Sequence, residues 1–160
     1  MPDAGGVVLV PAFSGLGAPD WDPAARGIVT GLTAGTTRAH LARAALEAIA
    51  FQVADLLGLM ATAGVAPDEL RVDGGAAANR LLLELQADLA GVRVARSADT
   101  ELTCRGTAAL ALIGAGLADA DDERLAAPPA DLVLAPGLDR GARAARHRDW
   151  RAAVALARTR

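Results

Sequence analysis

The segment ELRVDGGAAANRLLLELQADLAG, Glu69 to Gly91, constrains the fold of this chain more than any other stretch. Leu70 to Val72 reads as a short strand and Asp73 closes it. Gly74 and Gly75 follow at once, and a helical pattern runs from about Ala77 to Ala90 with Asn79 one turn in. A strand that ends in glycines and feeds a helix exposes backbone N–H groups at the positive end of the helix dipole. Without a Cβ, a ligand can approach that backbone closely. Asp73 falls where open α/β sheets place ligands, outside the carboxyl ends of their strands. The same residues also serve as a plain tight turn, for which glycine is the default. The stretch Gly74 to Asn79 lacks the G-x-G-x-x-G spacing of the dinucleotide fingerprint. Tight turn and nucleotide floor both stand at this point, and the neighbouring segments must decide between them.

The flanking pattern is that of an α/β layer. Val7 to Val10 is an all-apolar run stopped by Pro11, and a Gly-, Pro- and Asp-rich loop leads to a second short strand at Gly27 to Leu32. Thr36 and Thr37 offer N-cap oxygens to a long helix ending near Gly64. Apolar residues cover most of its circumference apart from Glu47, Gln52 and Asp55, so deep burial is expected. After the opening segment come a strand at Val92 to Ala95 and a loop SADTELTC. A helix follows to Ala115 or Leu117 with Thr103 as its cap, then an extended stretch APPADLVLAPG. Strand–helix–strand–helix in the middle predicts a parallel α/β layer, and at 160 residues the chain reads as one domain over 1–160.

Composition removes several chemistries. The sixteen basic residues are all Arg, which excludes a P-loop lysine, a Schiff base and a lysine general base. Two histidines and the single Cys104 show no zinc-site spacing, and Ser14 in AFSGLG is not a G-x-S-x-G elbow. One cysteine permits no internal disulfide, and no apolar run approaches a membrane span, so a cytoplasmic protein without membrane partner is expected. From Asp139 to Arg160 seven Arg stand against two Asp. With no aromatic interleaving to stack bases, this basic tail reads as a solvated terminal helix and not as a nucleic-acid site. Asp20 and Asp22, in a Pro-flanked loop, read as turn residues before metal ligands.

Three blocks together resemble one family, the FGGY carbohydrate kinases, and within it most closely the members that phosphorylate glycerol. They are VPAFSGLGAPDWDPAARG (Val10 to Gly27), GIVTGLTAGTTRAHLARAALE (Gly27 to Glu47) and RVDGGAAAN (Arg71 to Asn79), in the family's order and spacing. The resemblance implies the C-terminal RNase H-like domain of an actin-like ATPase fold, lacking its first strands. It also implies ATP with Mg2+ as cofactors and glycerol or another polyol or sugar as acceptor. Gly75 and Asn79 match family positions that touch ATP, and Gly74 and Ala76 line the same turn. Asp73, Gln52 and Glu47 are weaker candidates, because buried polar residues often satisfy neighbouring backbone, and His40 is expected to be structural. Asp20 and Arg105 depart from the pattern of the glycerol enzymes and leave the acceptor open between glycerol and other sugars.

By the same resemblance, the family's catalytic Asp, its polyol-gripping residues and its phosphate loop lie upstream of Met1. No catalytic residue and no metal ligand is therefore expected in this chain. Three readings follow: the ATP-binding part of a sugar or polyol kinase, inactive alone; a non-catalytic nucleotide-binding or interaction module, homo-oligomeric or completed by an N-terminal half; and a truncation product. The strand at Leu70 to Asp73 should lack a neighbour, and such an unpaired edge invites partner pairing.

Overall fold

A computed structural model describes residues 3–158. The elements follow in the order β1 (Val8–Val10), β2 (Ile28–Thr30), α1 (Arg38–Thr62), β3 (Glu69–Val72), α2 (Arg80–Ala90), β4 (Arg93–Ser97), α3 (Leu102–Gly114), β5 (Ala130–Leu134) and α4 (Arg140–Ala157). A short 3-10 helix, Gly75–Ala78, lies between β3 and α2. β1 and β2 form an antiparallel ribbon, and the second sheet has the order β3-β4-β5. β3 and β4 are parallel, with α2 as the crossover that parallel neighbours require, whereas β5 returns antiparallel to β4. The expected parallel layer is thus parallel only in its first pair, because the chain that leaves β4 through α3 and the loop after it comes back along β4 in the opposite direction.

α2 shows how local sequence makes an element. Its apolar positions Leu82, Leu83, Leu85, Ala87 and Leu89 are all buried, and the helix stops at Gly91, whose φ of 71° is left-handed. A Cβ there would run into the Arg143 guanidinium, the flexible end of an α4 side chain that can swing aside, so the left-handed C-cap is what calls for glycine. One face of α2 meets the sheet through Ala77, Leu83, Ala87 and Val94, lined by Leu70, Val72, Leu132 and Leu134. Leu85 and Leu89 join the larger core of Val10, Ala48, Phe51, Trp150 and Val154.

α1 begins at Thr37, whose backbone N–H donates to Nδ1 of His40 at 3.0 Å, a structural use of that histidine. The helix is not deeply buried as its composition predicts. Ala44, Glu47, Ala48, Ala50 and Phe51 are buried, but Leu41, Ile49, Leu56, Leu59 and Met60 are exposed, because only one side has a layer to pack on. By length and composition α1 would suffice to cross a membrane, contrary to the sequence expectation. Its buried Glu47, paired with Arg43 and Arg146 at 2.8 Å each, and its packing against α2 and β1 set one side of it in the core. Glu101 and not Thr103 occupies the N-cap position of α3, without a side-chain cap hydrogen bond, and none of the helix's residues is buried. Arg105 on α3 donates to the carbonyls of Arg124 and Ala126, tying α3 to the loop before β5.

α4 is the largest departure from expectation. Its arginine content suggested a solvated helix, yet Trp150, Ala153, Val154 and Ala157 are buried. Trp150 stacks on Phe51 of α1 with ring centroids 5.2 Å apart, and Arg146 lies 5.8 Å over the same phenyl ring. The Asp55 carboxylate, 7% exposed, accepts from Trp150 Nε1 at 2.8 Å and Arg151 Nη1 at 3.2 Å, and its other oxygen meets His147 Nε2 at 2.6 Å. Arg151 also forms a two-pronged pair with Asp20 at 2.7 and 2.8 Å. Asp20 is therefore an ion-pair partner of α4 rather than a turn residue. Asp22 does hold the turn, accepting from the N–H groups of Ala24 and Ala25.

The hydrogen bonds from Arg151 hold the Asp20 carboxyl below its usual pKa. A carboxylate depressed on folding stabilises fully above the unfolded value, about 3.9, and loses that contribution as pH falls through the lower folded value. Asp20→Asn should cost about 2 kcal/mol at pH 7, measured by urea unfolding. The difference from the unsubstituted protein should shrink below about pH 4; a pH-independent difference would refute the assignment.

Candidate functional site

The Gly74-Gly75 junction stands at the carboxyl end of β3, and the two glycines do different work. Gly74 has φ 85°, a left-handed conformation that L side chains resist. Its carbonyl accepts from Ala77 N–H and closes the first 3-10 turn. Gly75 shows no left-handed φ, and a Cβ built on it meets nothing within 4 Å. The turn therefore accounts for Gly74 and leaves Gly75 without a structural reason. Gly75, Ala76 and Asn79 are exposed, as is Asp73 before them.

The α-helix begins three residues later than its pattern suggests, and this relocates the electrostatics. Asn79 is the N-cap of α2, with Oδ1 accepting from Leu82 N–H at 3.2 Å. The positive end of the dipole opens at Asn79–Arg80, one 3-10 turn beyond the glycines. The short segment arises because Gly74 turns the chain before the helix can start. With its oxygen occupied by the cap, Asn79 presents its amide NH2, a donor, outward.

Two open recesses flank the turn and share Arg71, Val72 and Asp73. One, toward α3, is closed by Ala95, Ser97, Leu102 and Pro128; the other, toward α2, by Ala76, Ala77, Leu83 and Gln86. Gly74, Gly75, Ala76 and Asn79 thus come together at one surface, with Asp73 beside them. Glu47 does not join them: it sits with Phe51, Arg146 and Trp150 at a separate recess. Gln52 lies half-buried on α1. Among the described residues no group of three or more His, Cys, Asp or Glu side chains is placed to hold a metal. Two features escaped the sequence reading. The Asp20–Arg151–Asp55–His147 cluster joins residues 92 to 131 positions apart, and the buried Oε1 of Gln86 has no hydrogen-bond partner.

The model of the FGGY family of carbohydrate kinases, C-terminal domain, matches residues 1–115. The chain belongs to this family. Over 98% of its length it is 57% identical to a glycerol kinase of Citrifermentans bemidjiense, and over 96% it is 54% identical to one of Alkalilimnicola ehrlichii. Among solved structures it is similar to Plasmodium falciparum glycerol kinase with ADP, at TM-score 0.86, 32% identity and 100% coverage of the chain. It also resembles the xylulose kinase of Rhodospirillum rubrum, at TM-score 0.75, 28% identity and 98% coverage. In each case the matched part is only 31–32% of the other protein, so the chain spans about a third of its relatives' length. The FGGY C-terminal domain fold expected from the three sequence blocks is the fold found.

The contrast between the two glycines is directly measurable. Gly74→Ala should destabilise the chain by about 1 kcal/mol, since alanine resists a left-handed φ. Gly75→Ala should leave stability within about 0.5 kcal/mol of the unsubstituted value. Equal losses in urea unfolding would show that both glycines are turn residues.

Proposed function

We propose that this chain is the adenosine-binding third of a glycerol kinase. The complete enzyme would move the γ-phosphoryl group of ATP to a hydroxyl of glycerol, giving ADP and glycerol 3-phosphate. The observation that carries this reading is the open space over Gly75, a glycine that the fold does not need, beside an Asn79 amide free to donate. Identity of 52–57% to glycerol kinases across the first eight relatives supports glycerol over other acceptors. The ADP named for the Plasmodium neighbour supports the nucleotide.

In this reading Gly75 lets the nucleotide lie against the backbone of the 3-10 turn, and Gly74 and Ala76 shape the wall around it. Asn79 donates its amide to a base nitrogen or ribose oxygen while its own oxygen keeps α2 capped. Phosphoryl transfer rests on positioning and on stabilising charge at the transferred group. Mg2+ would accompany the nucleotide and offset its phosphate charge, needing few protein carboxylates. Asp73 is the exposed carboxylate beside the turn, and no ion site is assigned to this chain. The residues that hold the acceptor, the general base and the phosphate grip belong to the part upstream of the match. Alone, the chain is catalytically inert. A cytoplasmic setting, where ATP is available, suits the reaction and the exposed free Cys104.

The decisive experiment joins the upstream two thirds of the Citrifermentans bemidjiense glycerol kinase to this chain and measures glycerol-dependent ADP formation. The chimaera should be active, and Gly75→Val should abolish ATP binding without lowering its melting temperature. Activity untouched by Gly75→Val would overturn the assignment of that residue.

Asn79→Asp separates cap from donor. Aspartate keeps the oxygen that accepts from Leu82 N–H, so stability should change by less than about 0.5 kcal/mol. The lost amide donor should weaken nucleotide binding about tenfold, as expected for one hydrogen bond and an added negative charge. Titration of ATP into the chimaera reads this out, and unchanged affinity would place the nucleotide elsewhere.

A further inference from the structure

The arginines of α4 fall into two groups. Arg146 holds the carboxylate of Glu47, and Arg151 those of Asp20 and Asp55. Arg140 and Arg143 make no ion pair and no side-chain hydrogen bond among the described residues, although Arg143 is half-buried. Three and four residues apart on one helix face, Arg140, Arg143 and His147 line a recess of about 260 Å3 together with Ala54, Leu89 and Ala144. The carboxylates next to these residues in the chain are committed elsewhere. Asp55 holds His147, Trp150 and Arg151, Asp88 accepts from the N–H groups of Gly137 and Leu138, and Asp139 caps α4 through Ala142 N–H. The Arg143 guanidinium lies beside Gly91 at the C-terminal end of α2, where the helix dipole favours a cation but leaves its N–H donors unbonded. Charges withdrawn from water are ordinarily paired, and two guanidiniums facing one recess without a carboxylate fit an anion.

We propose that Arg140, Arg143 and His147 form a site for a small phosphate monoester. The planar guanidinium of Arg143 presents parallel N–H donors that match two phosphate oxygens, and Arg140 adds a second fork from the exposed rim. Asp55 holds the His147 ring through Nε2 at 2.6 Å, so the ring stands as a fixed wall of the recess. Ala54 and Ala144 add apolar surface, which favours an ester with a carbon substituent to cover it over inorganic phosphate. The recess lies at the opposite end of α2 from the glycine turn, about 16 Å along an 11-residue helix. The proposal does not rest on the nucleotide reading and stands whether or not Gly75 meets a ligand.

Calorimetric titration of glycerol 3-phosphate, a phosphate monoester, into the 160-residue chain at low ionic strength provides the test. One saturable site should appear, inorganic phosphate should bind it more weakly, and glycerol should not bind it. Arg143→Gln and Arg140→Gln should each weaken binding about tenfold, the loss of one charge-assisted fork. Neither side chain bonds within the fold, so the urea midpoint should stay where it is in both variants. Arg148→Gln removes an exposed arginine that does not line the recess, and the affinity should not change. The proposal fails if no saturable binding is seen at millimolar monoester. An equal loss in Arg148→Gln would overturn it too, because net charge alone would then draw the anion. So would binding that survives both recess substitutions, which would put the phosphate elsewhere, at the glycine turn if Asn79→Asp removes it. Inorganic phosphate binding as tightly as the monoester would overturn the ester assignment.

Discussion

The Asp55 carboxylate is a negative charge set between packed helices, and three side chains of α4 converge on it. A buried carboxylate without partners would be costly; with them it fixes the geometry of whatever brings the donors. Here the donors come from one helix face, so Asp55 sets both the rotation and the depth of α4 against α1. The stacking of Trp150 on Phe51 follows from that register, and Arg151 reaches on to Asp20. The last helix thus fastens the N-terminal ribbon, the long helix and the loop from Ala12 to Gly27 into one core.

The candidate site depends on this core at one remove. α2 is held between α1 and the sheet, and Gly91 ends it in a left-handed turn beside Arg143 of α4. The N-terminal end of α2 is thereby fixed in space, and with it the Asn79 cap and the glycine turn. The turn itself makes few contacts. Gly75 and Asn79 are exposed on a support whose rigidity comes from elements they do not touch, an arrangement suited to presenting backbone and amide to a ligand.

The surfaces left bare are as telling as the packed ones. The outer residues of α1, most of α3 and the free edge of β3 face outward, and the buried carbonyl of Gln86 has no hydrogen-bond partner.

Much of the fold was legible in the sequence. The short strands, the long helix and the strand–glycine–helix junction that carries Gly74, Gly75, Ala76 and Asn79 rest on contacts within a few residues, where propensity and spacing act directly. The later start of α2, the N-cap position at Glu101 and the antiparallel return of β5 were not legible. Each depends on how a turn closes in space rather than on which residues compose it. The Arg-rich tail misled for a related reason: arginine content describes the outer face of α4, while Trp150 and Val154 define the face that packs. Only the tertiary structure decided that Asp20 and Asp55 meet Arg151, that half of α1 stays exposed, and that Gln86 is buried unpaired. Those outcomes depend on partners up to 131 positions away, and nothing local in a sequence encodes a distance that only packing creates.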